Sequence, residues 1–135
     1  MKKNASCVCG QLSVSVNHDP ELVIMCHCEI CQRRSGSAFQ LAAFYYETNV
    51  AGVFGESKNY TREADSGRSM SLFFCPICGV SVYFRSAARP NLVGVHVGCF
   101  ADKHFPAPNR AVWLKQKHDW VVLPDVDSQF DENSI

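Results

Sequence analysis

The sequence predicts a mostly β protein organised around metal-binding cysteines. Two observations predict it. The dominant hydrophobic period is two, in short runs broken by Gly, Pro, Asn and Asp, and no window of helical length carries a strong amphipathic stripe. Seven of the eight cysteines also fall into three tight clusters, a pattern that suits a small metal-pinned β framework.

The elements follow from that period. Residues 11–17 (QLSVSVN), 80–85 (VSVYFR) and 92–97 (LVGVHV) alternate cleanly, and 38–46, 69–74 and 110–117 also read as strands. Turns are expected at Asn17-His18-Asp19-Pro20 and Ala88-Arg89-Pro90-Asn91. One short helical turn is expected to begin near Glu29 and end before Gly36. The acidic tail DVDSQFDENSI offers Phe130 as the residue that would pin it to the body.

Length and composition narrow the class. With 135 residues, one domain is expected over 1–135, its metal-binding body spanning about 5–130 and a short polar tail following. Hydrophobic residues make up 47% and charged residues 19%, which is a globular balance. Lys and Arg (13) equal Asp and Glu (13) with no basic run, so neither a nucleic acid nor a membrane surface is an expected partner. The opening MKKNASCVCG has no apolar stretch before Cys7, unlike a secretory or lipoprotein signal. A cytoplasmic location is therefore expected, where thiols stay reduced and clustered cysteines point to metal rather than disulfides.

Cys75-Pro76-Ile77-Cys78-Gly79 carries the strongest local signal. Two thiolates two residues apart on a tight turn converge on one zinc ion, and glycine suits the next position if the backbone there needs positive φ. A redox Cys-x-x-Cys would open a helix, whereas VSVYF continues here as a strand. Cys7 and Cys9, again followed by glycine, would share a face on an extended strand. Cys26 and Cys28 would do the same, with Cys31 returning one turn later. Four plus three thiolates suggest one closed metal site and one with an open fourth position.

Cys99, alone at a strand end, is either an eighth ligand or core filler. His27, between two candidate ligands, should point away from them and serve a structural or hydrogen-bonding role. His18, His96, His104 and His118 lack ligand spacing and read as surface or half-buried residues. Arg33 and Arg34 follow the middle cluster. They either balance its charge and receive an anionic substrate carboxylate, or form a solvated basic loop.

CVCG, then CHCEICQRRSGSAF, then FCPICG, then GCFAD near a stretch from Lys115 to Trp120, resembles the glutathione-dependent formaldehyde-activating enzyme and centromere protein V family. The resemblance runs from about Ala5 to Phe130. It implies a β-tent fold of several curled antiparallel sheets and two zinc ions. Cys7, Cys9, Cys75 and Cys78 match the structural zinc ligands, and Cys26, Cys28 and Cys31 match the catalytic zinc. It also implies a carbon–sulfur lyase activity in which a small aldehyde and a thiol, of the formaldehyde and glutathione type, condense reversibly. The alternatives are a non-catalytic zinc module that binds a protein, with Phe39, Phe44, Tyr45 and Tyr46 as candidates for an exposed patch, and a centre that loses zinc on oxidation.

Overall fold

Strands built from alternating short apolar runs pair mostly with their sequence neighbours. The computed structural model describes residues 2–63 and 67–133. A small antiparallel sheet contains β1 (Lys3–Ser6), β2 (Ser13–Val16) and β5 (Val50–Phe54), in the order β1-β2-β5. The large sheet contains β3 (Leu22–Cys26), β4 (Gln40–Tyr46), β6 (Lys58–Glu63), β7 (Ser69–Phe74), β8 (Ser81–Ser86), β9 (Leu92–His96), β10 (Arg110–Val112) and β11 (Ser128–Gln129). Its order is β11-β10-β3-β4-β9-β8-β7-β6, antiparallel except where β10 lies parallel to β3 and β11. The single α-helix among the described residues, α1 (Glu29–Ser35), follows β3. None of the described helices is long and apolar enough to cross a membrane.

Register sorts the side chains of the large sheet onto two faces. Val23, Ala43, Val95, Tyr83 and Phe73 lie opposite one another across five strands. They form one core with Val14 and Val16 of the small sheet and with Leu12 just before β2, and each fully buried Val or Leu there contributes roughly 1.5–3 kcal/mol. The next row, Leu22, Phe44, Gly94, Phe84 and Leu72, faces the other way. A side chain on Gly94 would run into the Phe84 ring. Its absence lets Phe44 and Phe84 meet edge to face at 5.6 Å. Trp113 and Phe130 complete this second core, and the Phe130 N–H donates to the Ala111 carbonyl at 3.0 Å, pinning the tail.

The strands expected from alternation form at β2, β4, β7, β8 and β9, and the helical turn forms over Glu29–Ser35. The expected strand over 110–117 is cut short: Trp113 turns left-handed (φ 58°), and Leu114–Gln116 form a 3₁₀ turn. β1, β5, β6 and β11 were not expected. β6 is exposed along nearly its whole length and so lacks an apolar alternation to read. Of the aromatics weighed for a surface patch, Phe44 and Tyr45 are buried and Tyr46 is exposed.

Candidate metal centres

Two matching turns build the first cysteine group. β1 ends at Ser6, and the chain bends so that the Cys7 N–H donates to the Leu12 carbonyl (3.0 Å) and the Gly10 N–H to the Cys7 carbonyl (3.1 Å). Cys7 and Cys9 thus sit on a turn, not on the extended strand their spacing suggested. After β7, the Cys75 N–H donates to the Val80 carbonyl and the Gly79 N–H to the Cys75 carbonyl, both at 2.9 Å. Gly10 (φ 85°) and Gly79 (φ 79°) close these turns in the left-handed region that glycine alone enters freely.

The Sγ atoms of Cys7, Cys9, Cys75 and Cys78 lie within 4.8 Å of one another. Cys7 and Cys9 are 3.6 Å apart, and Cys9 and Cys75 are 3.7 Å apart. Four sulfurs about 2.3 Å from a tetrahedral zinc stand about 3.8 Å from each other, so the donor set fits such an ion. Backbone N–H groups serve the sulfurs: Leu12 donates to Cys7 at 3.3 Å, and Ile77 donates to Cys75 at 3.4 Å. Gln11, which no motif singled out, clamps the site. Its Nε2 donates to Cys75 Sγ (3.0 Å) and to the Glu56 carbonyl (2.7 Å), while its Oε1 accepts from the Glu56 N–H (2.9 Å). Burial by itself would raise the Cys75 thiol, but the Cys78 N–H, the Gln11 amide and the Ile77 N–H outweigh it and bring it down to about 6.

The second group forms where β3 hands over to α1. β3 ends at Cys26, so Cys28 does not share its strand. It is instead the N-cap of α1, in extended conformation (φ −65°, ψ 153°), and its sulfur accepts from the Cys31 N–H at 3.3 Å. Gly36 caps the other end at φ 65°, its N–H donating to the Gln32 carbonyl at 2.8 Å. The Sγ atoms of Cys26, Cys28 and Cys31 lie within 4.8 Å of one another, with Cys26 and Cys28 at 3.5 Å. Among the described residues no fourth His, Cys, Asp or Glu joins this group. The three sulfurs share charge unequally. Hydrogen bonds from Cys26 and Cys31 hold Cys28 down at about 2, and the same bond to Cys28 pushes Cys26 up to about 12.

The two groups attach to different cores. Cys7 and Cys75 are buried in the core between the sheets, whereas Cys26 packs with the core on the opposite face of the large sheet. None of the eight cysteines is in a disulfide. Cys99 stays outside the four-sulfur group. It lies in a 3₁₀ turn after β9, packs against the first core and donates to the Ser81 carbonyl at 3.6 Å.

His27 is fully buried against Phe39 at 5.6 Å, and neither ring nitrogen has a hydrogen-bond partner in the protein, so of the two roles expected of it the structural one fits. Burial lowers its pKa and favours the neutral ring. The arginines part company. Arg33 is exposed and pairs with Glu29 at 3.9 Å, while Arg34, three residues after Cys31 and so on its helix face, folds back over the Phe84 ring at 5.0 Å. His96, half-buried and edge-on to the same ring at 5.4 Å, is lowered to about 4 by burial and by Arg34.

Comparison with known proteins places these features. A family model described as glutathione-dependent formaldehyde-activating enzyme matches residues 2–116. No curated protein matches the chain. A crystal structure of a Rhodobacter sphaeroides protein is similar in fold, with a TM-score of 0.54 and 22% identity, covering 71% of this chain and 85% of that one.

Proposed function

The chain belongs to the glutathione-dependent formaldehyde-activating enzyme family, and from that premise we propose that it is a zinc-dependent carbon–sulfur lyase acting on adducts of a small aldehyde and a thiol. In this reading Cys7, Cys9, Cys75 and Cys78 hold a structural zinc, Cys26, Cys28 and Cys31 hold a catalytic one, and the whole chain acts as one domain. The observation that carries it is the count of donors at the second group: three thiolates close together, with no fourth protein ligand among the described residues.

The reaction joins the thiol sulfur to the carbonyl carbon, and the sulfur's proton ends on the former carbonyl oxygen; the reverse step breaks that bond. Zinc in such a centre supplies a thiolate at neutral pH and polarises a carbonyl. The chain's own residues supply position. The N-cap bond from Cys31 to Cys28 fixes two donors relative to one another. Gln32 fixes the turn between β3 and α1, its Nε2 donating to the His27 carbonyl at 2.8 Å and to the Gln116 carbonyl at 3.2 Å. Holding two reactants side by side lowers the entropic cost of their meeting.

A second reading, a zinc module that docks another protein, is favoured by Val8 and Ile77, which stand 84% and 74% exposed at the tips of the two first-site turns. One experiment separates the two. The cobalt-substituted protein is titrated with glutathione, and adduct formation with formaldehyde is followed by exchange NMR. The lyase reading expects a change in the sulfur-to-cobalt absorption and an acceleration that Cys28→Ser abolishes. An unmoved spectrum with no acceleration sinks it in favour of the docking module.

A further inference from the structure

Beside the three-cysteine group, the same face of the large sheet carries polar groups that the protein leaves unpaired. Register sets them next to one another. Gln40 lies directly opposite Cys26, Ala42 opposite His96, and Gly94 opposite Phe84. With the alternation of β-strands, Gln40, Cys26, His96 and Phe84 therefore all point to one side. Arg34 descends from α1 onto that side, its guanidinium over Phe84 and its Nη1 donating to Met70 Sδ at 3.2 Å. Met70 shares this face, two residues before Leu72, which pairs with Phe84.

The unpaired atoms are Arg34 Nε and Nη2, His96 Nε2 and Gln40 Oε1, all shielded from solvent, with Gln40 as a residue only 5% exposed. Nε and Nη2 form one edge of the guanidinium fork, the geometry that grips a carboxylate through two parallel N–H···O bonds. Leaving that edge unused in a desolvated place is costly unless something occupies it. The three cysteines are near enough to act on Arg34 electrostatically, yet none accepts a hydrogen bond from it. They balance its charge without using its donors.

We propose that Arg34, beside His96, binds the carboxylate of an acidic thiol whose sulfur is held at the three-cysteine group, while the Gln40 Oε1, an acceptor, takes no part in gripping it. The site selects acidic thiols over neutral ones. This rests on the open-centre reading above. Arg33, exposed and paired with Glu29, takes no part.

The test titrates the zinc-loaded chain by calorimetry with 3-mercaptopropionate and with 2-mercaptoethanol, correcting for each thiol's own acidity. 3-Mercaptopropionate is expected to bind at least about tenfold more tightly, the worth of one charge-assisted bidentate contact. Arg34→Gln, checked for two zinc ions and an unchanged melt, is expected to bring the two thiols within about twofold, Arg34→Lys to keep part of the preference, and Arg33→Gln to keep it all. Equal affinity in the unmodified chain overturns the proposal without any variant: the polar groups are then served by water, and the lyase reading stands. A preference that survives Arg34→Gln overturns it as well. Binding of neither thiol removes the open centre itself, and the carboxylate site with it.

Discussion

Losing one cysteine from each centre should cost the fold very different amounts. A metal held by Cys7, Cys9, Cys75 and Cys78 ties together segments far apart in the chain, Cys9 and Cys75 being separated by 66 residues. Cys26 and Cys31 are only five positions apart, so their metal closes a loop that β3 and α1 already hold nearly closed. Treating each metal as a cross-link, loop-closure entropy assigns about 4 kcal/mol to the long loop and about 2 kcal/mol to the short one. Burial widens the gap, because Cys75 sits at 0% exposure in the core between the sheets. Cys75→Ser should therefore destabilise by at least about 2 kcal/mol more than Cys28→Ser, a large share of the 5–15 kcal/mol a domain typically has. Urea denaturation followed by far-UV circular dichroism, in zinc-containing buffer, reads both values. Equal losses, or a larger loss from Cys28→Ser, would refute the division into a centre that holds the fold and one that does not.

Three further outcomes follow from buried groups. His96, held at about 4 against an ordinary value of 6.5, stays neutral in the fold while the unfolded chain takes up a proton, so stability falls as pH drops from 6.5 toward 4. His96→Gln should remove about 2 kcal/mol of the difference in unfolding free energy between pH 7.5 and pH 5, and an identical pH slope in both proteins would contradict this. Tyr45 is 1% exposed and its hydroxyl has no partner in the protein. Tyr45→Phe should thus be neutral or stabilising by up to about 1 kcal/mol in thermal melts, while a loss above 1 kcal/mol would show that the hydroxyl is satisfied. Gly94→Ala would press a methyl group on the Phe84 ring, which Phe44, His96 and Arg34 hold in place, and should cost about 1–3 kcal/mol; a melt unchanged within error would mean that the ring gives way freely.

Much of this molecule was readable from its residues, and the gaps have physical causes. Alternation was legible at β2, β8 and β9 although consecutive residues, on both faces, are buried in each. It could not disclose β6, whose KNYTRE is held by pairing with β7 and not by burial. The cysteine clusters were plain in sequence, but that Cys7 and Cys9 meet Cys75 and Cys78 is a product of two distant turns, and the resemblance to a family, not the spacing, proposed it. Strand spacing misjudged Cys28 because β3 ends at Cys26 and Cys28, two residues on, is a helix cap. The split between Arg33 and Arg34 was latent in helical periodicity, since Arg34 is three residues from Cys31 and Arg33 is four residues from Glu29. Gln11 gave no signal, because two of its three contacts lie on a segment 45 residues away and the third on Cys75, 64 residues away.

The proposed function requires one metal centre closed by four cysteines and a second left open by three. Metal content of the purified chain, measured by mass spectrometry beside Cys28→Ser, followed by absorption of the cobalt form under added thiol, tests it directly. Two metals per chain falling to one, with a thiol-dependent spectrum in the unmodified protein that the variant lacks, is the predicted result. One metal throughout, or two metals blind to every thiol, would contradict it.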